Sequence, residues 1–181
     1  MNEDIIKELN ELIQLDHDAT KTYEHALERI DGEDENVRVD LQDFMQDHMR
    51  HIEDLRDVIE ELGGTPIEPS RDLKSVLLEG VTKLRSVSGT IGALKAMRMN
   101  EKLTNRAYDK AMELGSVEAV QDVLEANLAD ERRHLIAIEA HIARLSTVDA
   151  ILDDDDYTYE DRDRETYEII DDDDALRRPT S

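Results

Sequence analysis

Apolar residues recur along the first part of the chain at alternating steps of four and three. The first run is Ile5, Leu9, Leu12, Ala19, Tyr23, Ala26 and Ile30, with Asp16 at the one step between Leu12 and Ala19. The second run is Val37, Leu41, Phe44, Leu55, Val58 and Leu62, with His48 and His51 at the two steps between Phe44 and Leu55. Such steps place side chains on one face of an α-helix, because one turn takes about 3.6 residues. Asp31-Gly32 follows the first run and Gly63-Gly64 the second, and glycine there indicates a helix end. The pattern predicts two long helices in an antiparallel hairpin.

A second pair of helices is predicted after a longer connection. Residues 63–70, GGTPIEPS, open this connection, and Ser70 can cap a short helix over residues 71–86. Two further apolar runs at the same steps end near Gly115 and Leu145. Only 3% of the residues are aromatic, and the chain contains three prolines and seven glycines, which favours helices over a β-sandwich. We expect an all-α fold in which two antiparallel hairpins and a crossover form a four-helix bundle.

The composition changes after Leu145. Residues 147–181 contain fourteen acidic residues and four arginines, including DDDD at 153–156 and again at 171–174. A segment with so few apolar residues and so much like charge cannot bury a core. The sequence therefore predicts a bundle over residues 1–146 and an acidic, disordered tail over residues 147–181.

The charge of the chain excludes several classes of partner. Forty-six acidic and 22 basic residues give a net charge of −24, which repels nucleic acid and anionic membranes. The chain contains no cysteine, so disulfides and thiolate metal sites are excluded. The acidic start, MNEDIIKELNELI, is unlike a signal peptide, and no apolar run approaches the roughly 20 residues of a membrane span. We expect a cytoplasmic protein with no membrane partner.

Ionisable residues interrupt each apolar run near its middle. They are Asp16 in the first helix, His48 and His51 in the second, Glu101 in the third, and Glu131 and His134 in the fourth. A lone buried carboxylate costs several kcal/mol unless it is neutralised or paired, and a metal ion would compensate for the whole set. Residues three apart project to the same side of a helix and can hold one centre. Oxygen and nitrogen donors without thiolates favour iron, manganese or zinc.

The two halves of the chain also form a weak internal repeat. The first helix reads D-x-x-A-x-x-x-Y from Asp16 to Tyr23, and the third reads E-x-x-T-x-x-x-Y from Glu101 to Tyr108. The second helix contains H-x-x-H and the fourth contains E-x-x-H. The repeat predicts a pseudo-two-fold bundle with one half-site in each hairpin.

Residues 3–146 resemble the ferritin-like di-iron superfamily, most clearly at EKLTNRAY and ERRH. Its bundles take one Glu from each of two helices and Glu-x-x-His from each of the other two. The segments LNELIQLDHDATKTYEHAL, LGGTP and NEKLTNRAYDKAM resemble one branch, the ferritin-like family DUF2383. The resemblance implies the metal ligands His51, Glu101, Glu131 and His134, with Tyr23 and Tyr108 as hydrogen-bond donors that orient ligands.

Two positions depart from the superfamily pattern. Asp16 stands where the pattern has Glu, and His48 stands where it has the first Glu of a Glu-x-x-His. Asp47, next to His48, points about 100° away and is a weak substitute. The departures leave either two metal ions or one within the ligand set Asp16, His48, His51, Glu101, Glu131 and His134.

Two functions remain open at this point. The first is an iron-binding protein, with manganese or zinc as the alternative ion, that oxidises Fe(II) with oxygen or peroxide or sequesters iron. Storage in a shell would require a homo-oligomer. The second is a non-enzymatic stress or scaffold protein with a degraded metal site, whose acidic tail binds a basic partner. Without a metal, Glu131 and His134 would be part of a charged surface helix, and Tyr23 and Tyr108 ordinary core residues.

Overall fold

The computed structural model describes residues 2–32, 34–69, 89–114 and 117–168, with side chains described as far as Val148. The described residues form four α-helices and contain no strand, as the sequence predicts. The helices are α1 (Asn2–Leu27), α2 (Glu35–Glu61), α3 (Gly89–Ala111) and α4 (Glu118–Glu168), with a 3₁₀ turn at Met112–Leu114 after α3.

Contacts at both ends of α1 and α2 make them an antiparallel hairpin. The Arg38 guanidinium donates hydrogen bonds to the carbonyls of Leu27 and Ile30 at 3.2 and 2.7 Å, which satisfies acceptors that the end of α1 leaves free. At the other end, Gly64 lies so close to Ile6 that an added Cβ would approach its side chain to 2.8 Å. The sequence Gly63-Gly64 thus ends α2 and also lets the chain pass close to α1.

The start of α3 lies beside the end of α1. Asp31 Oδ2 accepts hydrogen bonds from the backbone N–H and the hydroxyl of Thr90, at 3.2 and 3.1 Å. Further along, Lys110 forms an ion pair with Glu8 at 2.7 Å. The start of α3 thus contacts the end of α1, and the end of α3 contacts the start of α1. The two helices are therefore antiparallel.

Helix α4 packs antiparallel to both α2 and α3. Arg132 donates to Asp109 at 2.8 Å on the α3 side, and His141 lies 2.6 Å from Asp40 on the α2 side. Within residues 2–142, α1 and α4 are therefore diagonal to one another, as are α2 and α3. Diagonal helices that run in the same direction require a connection along the bundle.

The connection between α2 and α3 must cross the length of the bundle. Helix α2 ends beside the start of α1, whereas α3 begins beside the end of α1. Since α3 has 23 residues, the distance is about 35 Å at a rise of 1.5 Å per residue. This agrees with the predicted crossover, while its predicted short helix over residues 71–86 lies outside the described residues.

One cluster of the hydrophobic core consists mainly of aliphatic residues near the end of the bundle where α1 begins and α2 ends. The fully buried members include Leu9, Ile13, Leu55, Ile59 and Leu124, each with 0% of its surface exposed. Each such side chain stabilises the fold by about 1.5–3 kcal/mol through burial. The bundle therefore has a hydrophobic core that does not depend on the polar centre described below.

Helix α4 continues to Glu168, where the sequence predicts disorder from residue 147. Residues 147–168 contain neither glycine nor proline, and lengthening an existing helix costs far less than starting one, so charge alone does not end α4. The chain divides into compact units between Ile142 and Ala143, and the predicted domain boundary after residue 146 stays a prediction. None of the helices in the described ranges is both long enough and apolar enough to span a bilayer.

Candidate metal centre

The six predicted ligands lie together in the interior of the bundle. Each of them has 0% of its surface exposed, and they come from all four helices: Asp16, His48, His51, Glu101, Glu131 and His134. Their shared position follows from the sequence, because each interrupts the apolar run of its helix near the middle of that run. The structure thus brings together every residue of the predicted ligand set, and their role as ligands stays a prediction.

Four of these residues form a first group around His48. Nδ1 of His48 lies 2.9 Å from Asp16 Oδ1 and 3.4 Å from Glu131 Oε1. Nδ1 of His51 lies 3.4 Å from the same Glu131 oxygen and 3.9 Å from Asp16 Oδ1. All ligand atoms of this group lie within 4.8 Å of one another, close enough to surround one ion.

A second group lies on the other side of His48. It consists of His48, Glu101, Glu131 and His134, again with ligand atoms within 4.8 Å of one another. Nδ1 of His134 lies 3.5 Å from Glu101 Oε2, and Nε2 of His48 lies 3.7 Å from Glu101 Oε1. The two groups therefore share His48 and Glu131.

Two buried tyrosines donate hydrogen bonds to the single carboxylates of the opposite helix. Tyr23 on α1 donates to Glu101 Oε1 on α3 at 2.7 Å, and Tyr108 on α3 donates to Asp16 Oδ2 on α1 at 2.6 Å. The side-chain amide of Asn127 donates a hydrogen bond to the Tyr108 hydroxyl at 3.5 Å. The tyrosine of each half of the sequence repeat thus donates to the carboxylate of the other half. Each hydrogen bond leaves the other oxygen of its carboxylate directed toward the centre.

Two aspartates that were not expected at the centre hold the outer sides of the histidine rings. Asp47 Oδ2 lies 3.0 Å from Nε2 of His134, and Asp130 Oδ2 lies 3.5 Å from Nε2 of His51. Each aspartate thus reaches a histidine of the other helix. A carboxylate on the second ring nitrogen sets the orientation of a metal-binding imidazole and makes it a stronger donor. Asp47 therefore faces the outer side of the His134 ring.

Two arginines connect these aspartates at the surface between α2 and α4. Arg133 donates to Asp47 at 2.6 Å and to Asp130 at 2.7 Å, and Arg50 contacts the same two carboxylates. Burial raises the pKa of Asp47, but hydrogen bonds from His134, Arg50 and Arg133 outweigh it and bring this pKa to about 2. The signal for this arrangement was present in the sequence, since DHMRH at 47–51 and DERRH at 130–134 share the pattern D-x-x-R-H.

The charges of the centre oppose one another within a small volume. Burial lowers the pKa of His51, but its contacts with Asp16 and Glu131 outweigh this and raise the pKa to about 9. Burial raises the pKa of Glu101, but His134 and His48 bring it down to about 2. The pKa of Glu131 is raised, first by burial and then by repulsion from Glu101 and Asp16, against the attraction of His48. Glu131 is therefore the carboxylate of the centre whose pKa is raised, whereas the pKa values of Asp16 and Glu101 are lowered.

Several polar atoms at the centre have no hydrogen-bond partner among the described residues. They are Nε2 of His48, Nδ1 of His51, Nδ1 of His134, Oε2 of Glu101 and both carboxylate oxygens of Glu131. A buried polar atom without a partner costs about 1–3 kcal/mol, and more when charged. All of these atoms are oxygen or nitrogen donors of the kind that bind divalent transition metals. The residues present therefore fit a metal ion.

Substitution of Asp130 tests whether the outer aspartates support metal binding by the histidines. Replacing Asp130 by Asn removes the carboxylate that faces Nε2 of His51, and we expect affinity for a divalent ion to fall by about 10–100-fold. Calorimetric titration with Zn(II) measures the change, and Asp122→Asn on the exposed face of α4 is the control. Unchanged affinity in Asp130→Asn would show that Asp130 serves only the surface ion pairs.

The helix order, the crossover and the buried carboxylate and histidine cluster define a ferritin-like four-helix bundle. A family described as Domain of unknown function (DUF2383) matches residues 4–114, and the chain belongs to this family. No curated protein matches the sequence.

Solved structures confirm the ferritin-like fold. A dodecameric thioferritin, the bacterioferritin-related protein from Bacteroides fragilis, is 14% identical with a TM-score of 0.69, over 83% of this chain and 90% of that one. A ferritin-like, diiron-carboxylate protein from Bacillus anthracis is 21% identical with a TM-score of 0.63, over 78% and 96%. A conserved hypothetical protein from Mycobacterium tuberculosis is 11% identical with a TM-score of 0.64, over 77% and 98%. At these identities the similarity is one of fold.

Proposed function

We propose that this protein binds iron inside the bundle and oxidises Fe(II) to Fe(III), with oxygen or peroxide as the oxidant. The observation that carries the proposal is the convergence of six unpartnered donor atoms in a fully buried centre. An ion bound by these atoms would offset the cost of burying them without hydrogen-bond partners. The diiron-carboxylate description of the Bacillus anthracis protein supports iron as that ion.

The donor set also supports oxidation of the bound iron. Three carboxylates and three imidazoles face the centre, from Asp16, Glu101, Glu131, His48, His51 and His134. Because Coulomb attraction grows with charge, anionic oxygen donors stabilise Fe(III) more than Fe(II). Each Fe(II) that is oxidised gives one electron to the oxidant. Manganese and zinc suit the same donors, and the diiron-carboxylate description of the Bacillus anthracis protein is the reason to prefer iron.

Metal analysis and an oxidation assay test the proposal together. Protein produced with added iron is expected to contain at least one iron per chain. Metal-free protein loaded with Fe(II) without oxygen is then mixed with oxygen or peroxide, and Fe(III) is followed by its absorbance. We expect oxidation faster than in buffer. Less than one iron per chain together with oxidation at the buffer rate would contradict the proposal. One Fe(II) per chain that stays reduced would contradict oxidation and would indicate iron sequestration instead.

The alternative is a scaffold or stress protein with a degraded metal site. It is favoured by the hydrogen bond between Nδ1 of His48 and Asp16 Oδ1, which satisfies part of the centre without a metal. In this case the acidic segment after residue 146 would bind a basic partner. Protein that takes up no metal and has the same thermal stability with and without iron would support this alternative.

We also propose that the chain associates with copies of itself. The related protein from Bacteroides fragilis is described as dodecameric, and Ile136 on the outer side of α4 is 69% exposed, which is unusual for so large an apolar side chain. Light scattering after size-exclusion chromatography measures the mass, and a monomer at all concentrations would contradict self-association.

A further inference from the structure

The two ligand groups overlap in a way that distinguishes shared from unshared ligands. Among the described residues, the groups have His48 and Glu131 in common, and neither group contains both His51 and His134. The ring centroids of His51 and His134 are 6.5 Å apart. The centre therefore has two sides, one with His51 and one with His134. The donor atoms that each residue has free indicate whether it can bind an ion on one side or on both.

The unshared carboxylates each have one oxygen left for the centre. Asp16 receives the Tyr108 hydroxyl on Oδ2, which leaves Oδ1 for the first group. Glu101 receives the Tyr23 hydroxyl on Oε1, and its Oε2 has no hydrogen-bond partner. Each carboxylate therefore offers one donor atom to one side.

The unshared histidines are limited in the same way. Nε2 of His51 faces Asp130 and Nε2 of His134 faces Asp47, while Nδ1 of both rings is unpartnered and faces the centre. A ring nitrogen binds one ion, so each of these histidines also serves one side.

The shared residues, in contrast, have two donor atoms toward the centre. Nδ1 of His48 lies 2.9 Å from Asp16 Oδ1, and the opposite ring nitrogen, Nε2, lies 3.7 Å from Glu101 Oε1 without a hydrogen bond. Both oxygens of Glu131 are also unpartnered. One ion cannot bind both nitrogens of an imidazole ring, because their lone pairs diverge. The two nitrogens of His48 thus face different ligand groups.

We propose that His48 bridges two metal positions, with Nδ1 at the Asp16 and His51 position and Nε2 at the Glu101 and His134 position. Glu131 is the second bridge, with one oxygen for each position. This inference rests on the proposed function, since it assumes that the centre binds iron. Each position then has four donor atoms from the protein, the number found in structural zinc sites.

The bridge also accounts for histidine at a position where the superfamily pattern has Glu. An imidazole that binds an ion at each nitrogen gives its ring proton to water and carries one negative charge, the same as a carboxylate. His48 can therefore supply the same number of donor atoms and the same charge as a carboxylate, while the diverging lone pairs of its ring hold the two positions farther apart than a carboxylate would.

Titration of matched variants with Co(II), an ion that oxygen does not readily oxidise in such a site, tests the bridge. Native mass spectrometry counts the ions and calorimetry gives each affinity. The wild type is expected to bind two ions, while Asp16→Asn and Glu101→Gln each keep one. His48→Ala is then added to each single variant. A bridge requires that the remaining ion binds at least tenfold more weakly in both double variants.

The controls separate the role of His48 from general damage. His25→Ala, at a half-buried histidine of α1 whose side chain is 44% exposed, is added to the same two backgrounds and is expected to change nothing. His48→Glu, which can bridge with two oxygens, is expected to restore most of the affinity in both. Circular dichroism confirms helix content in every variant.

The possible outcomes differ for the two proposals. If His48→Ala weakens binding in one background alone, His48 is a terminal ligand and the bridge is wrong. If the wild type binds one Co(II), the two-position centre is wrong while iron binding stands. If neither Co(II) nor Fe(II) binds to the wild type, the proposed function fails as well.

Discussion

Replacing Glu131 by Gln is expected to abolish metal binding at both positions at once. Glu131 belongs to both ligand groups, and both of its oxygens are unpartnered in the buried centre. A glutamine of the same size keeps one carbonyl oxygen but loses the charge and the second anionic donor. We expect affinity to fall by more than about 100-fold, beyond the effect of losing an outer hydrogen-bond partner. The protein should contain no iron above background, and Fe(II) should be oxidised no faster than in buffer alone.

The comparison with an exposed glutamate of the same helix gives this experiment its control. Glu125 lies six residues earlier on the exposed side of α4, where it accepts a hydrogen bond from Gln121 at 3.1 Å. Glu125→Gln is expected to retain full metal content and oxidation rate. If Glu131→Gln also retains them, Glu131 is a buried structural carboxylate and the centre is not the site of iron chemistry.

Metal removal is expected to lower thermal stability without unfolding the protein. A ligand that binds only the folded state at 100 times its dissociation constant adds about 2.7 kcal/mol per site. For a protein of this size about 1 kcal/mol corresponds to roughly 2–4 °C, so one saturated site would raise the melting temperature by about 5–10 °C. The aliphatic core around Leu9, Leu55 and Leu124 remains in the metal-free protein, so the helix content should not change.

Thermal unfolding followed by circular dichroism measures this difference. The protein is compared after chelation, after reloading with Fe(II) without oxygen, and as Glu131→Gln under both conditions. The variant is expected to show no shift between the two. Equal melting temperatures for the chelated and reloaded wild type would mean that the ion does not bind the folded state preferentially, and would favour the scaffold alternative.

The residues of the candidate centre were predictable because helices are local structures with a regular period. Once the apolar runs are assigned to helices, the direction of Asp16, Glu101 or Glu131 relative to its own helix follows from its distance to apolar neighbours. An ionisable residue in phase with a buried face must find compensation, whatever the other helices are. Six residues could thus be assigned to one centre, and the structure brings these six together.

The outer partners were missed because their role depends on a second helix. Asp47 and Asp130 lie about 100° from the buried face of their helices, a position that is usually solvated. Each becomes part of the centre only because the neighbouring antiparallel helix presents His134 or His51 to it. The D-x-x-R-H repeat marks these positions, but the pairing across α2 and α4 is a property of packing.

The sequence by itself determined the all-α class, the two hairpins and the six ionisable residues of the centre, since these follow from helical periodicity and from the cost of burying charge. The tertiary structure decided which atom of each residue faces which neighbour. Tyr23 reaches Glu101 and Tyr108 reaches Asp16, and this exchange leaves one oxygen of each carboxylate for the centre. The two nitrogens of His48 face different groups. Such choices depend on helix stagger and rotation across the bundle, which no single helical pattern contains.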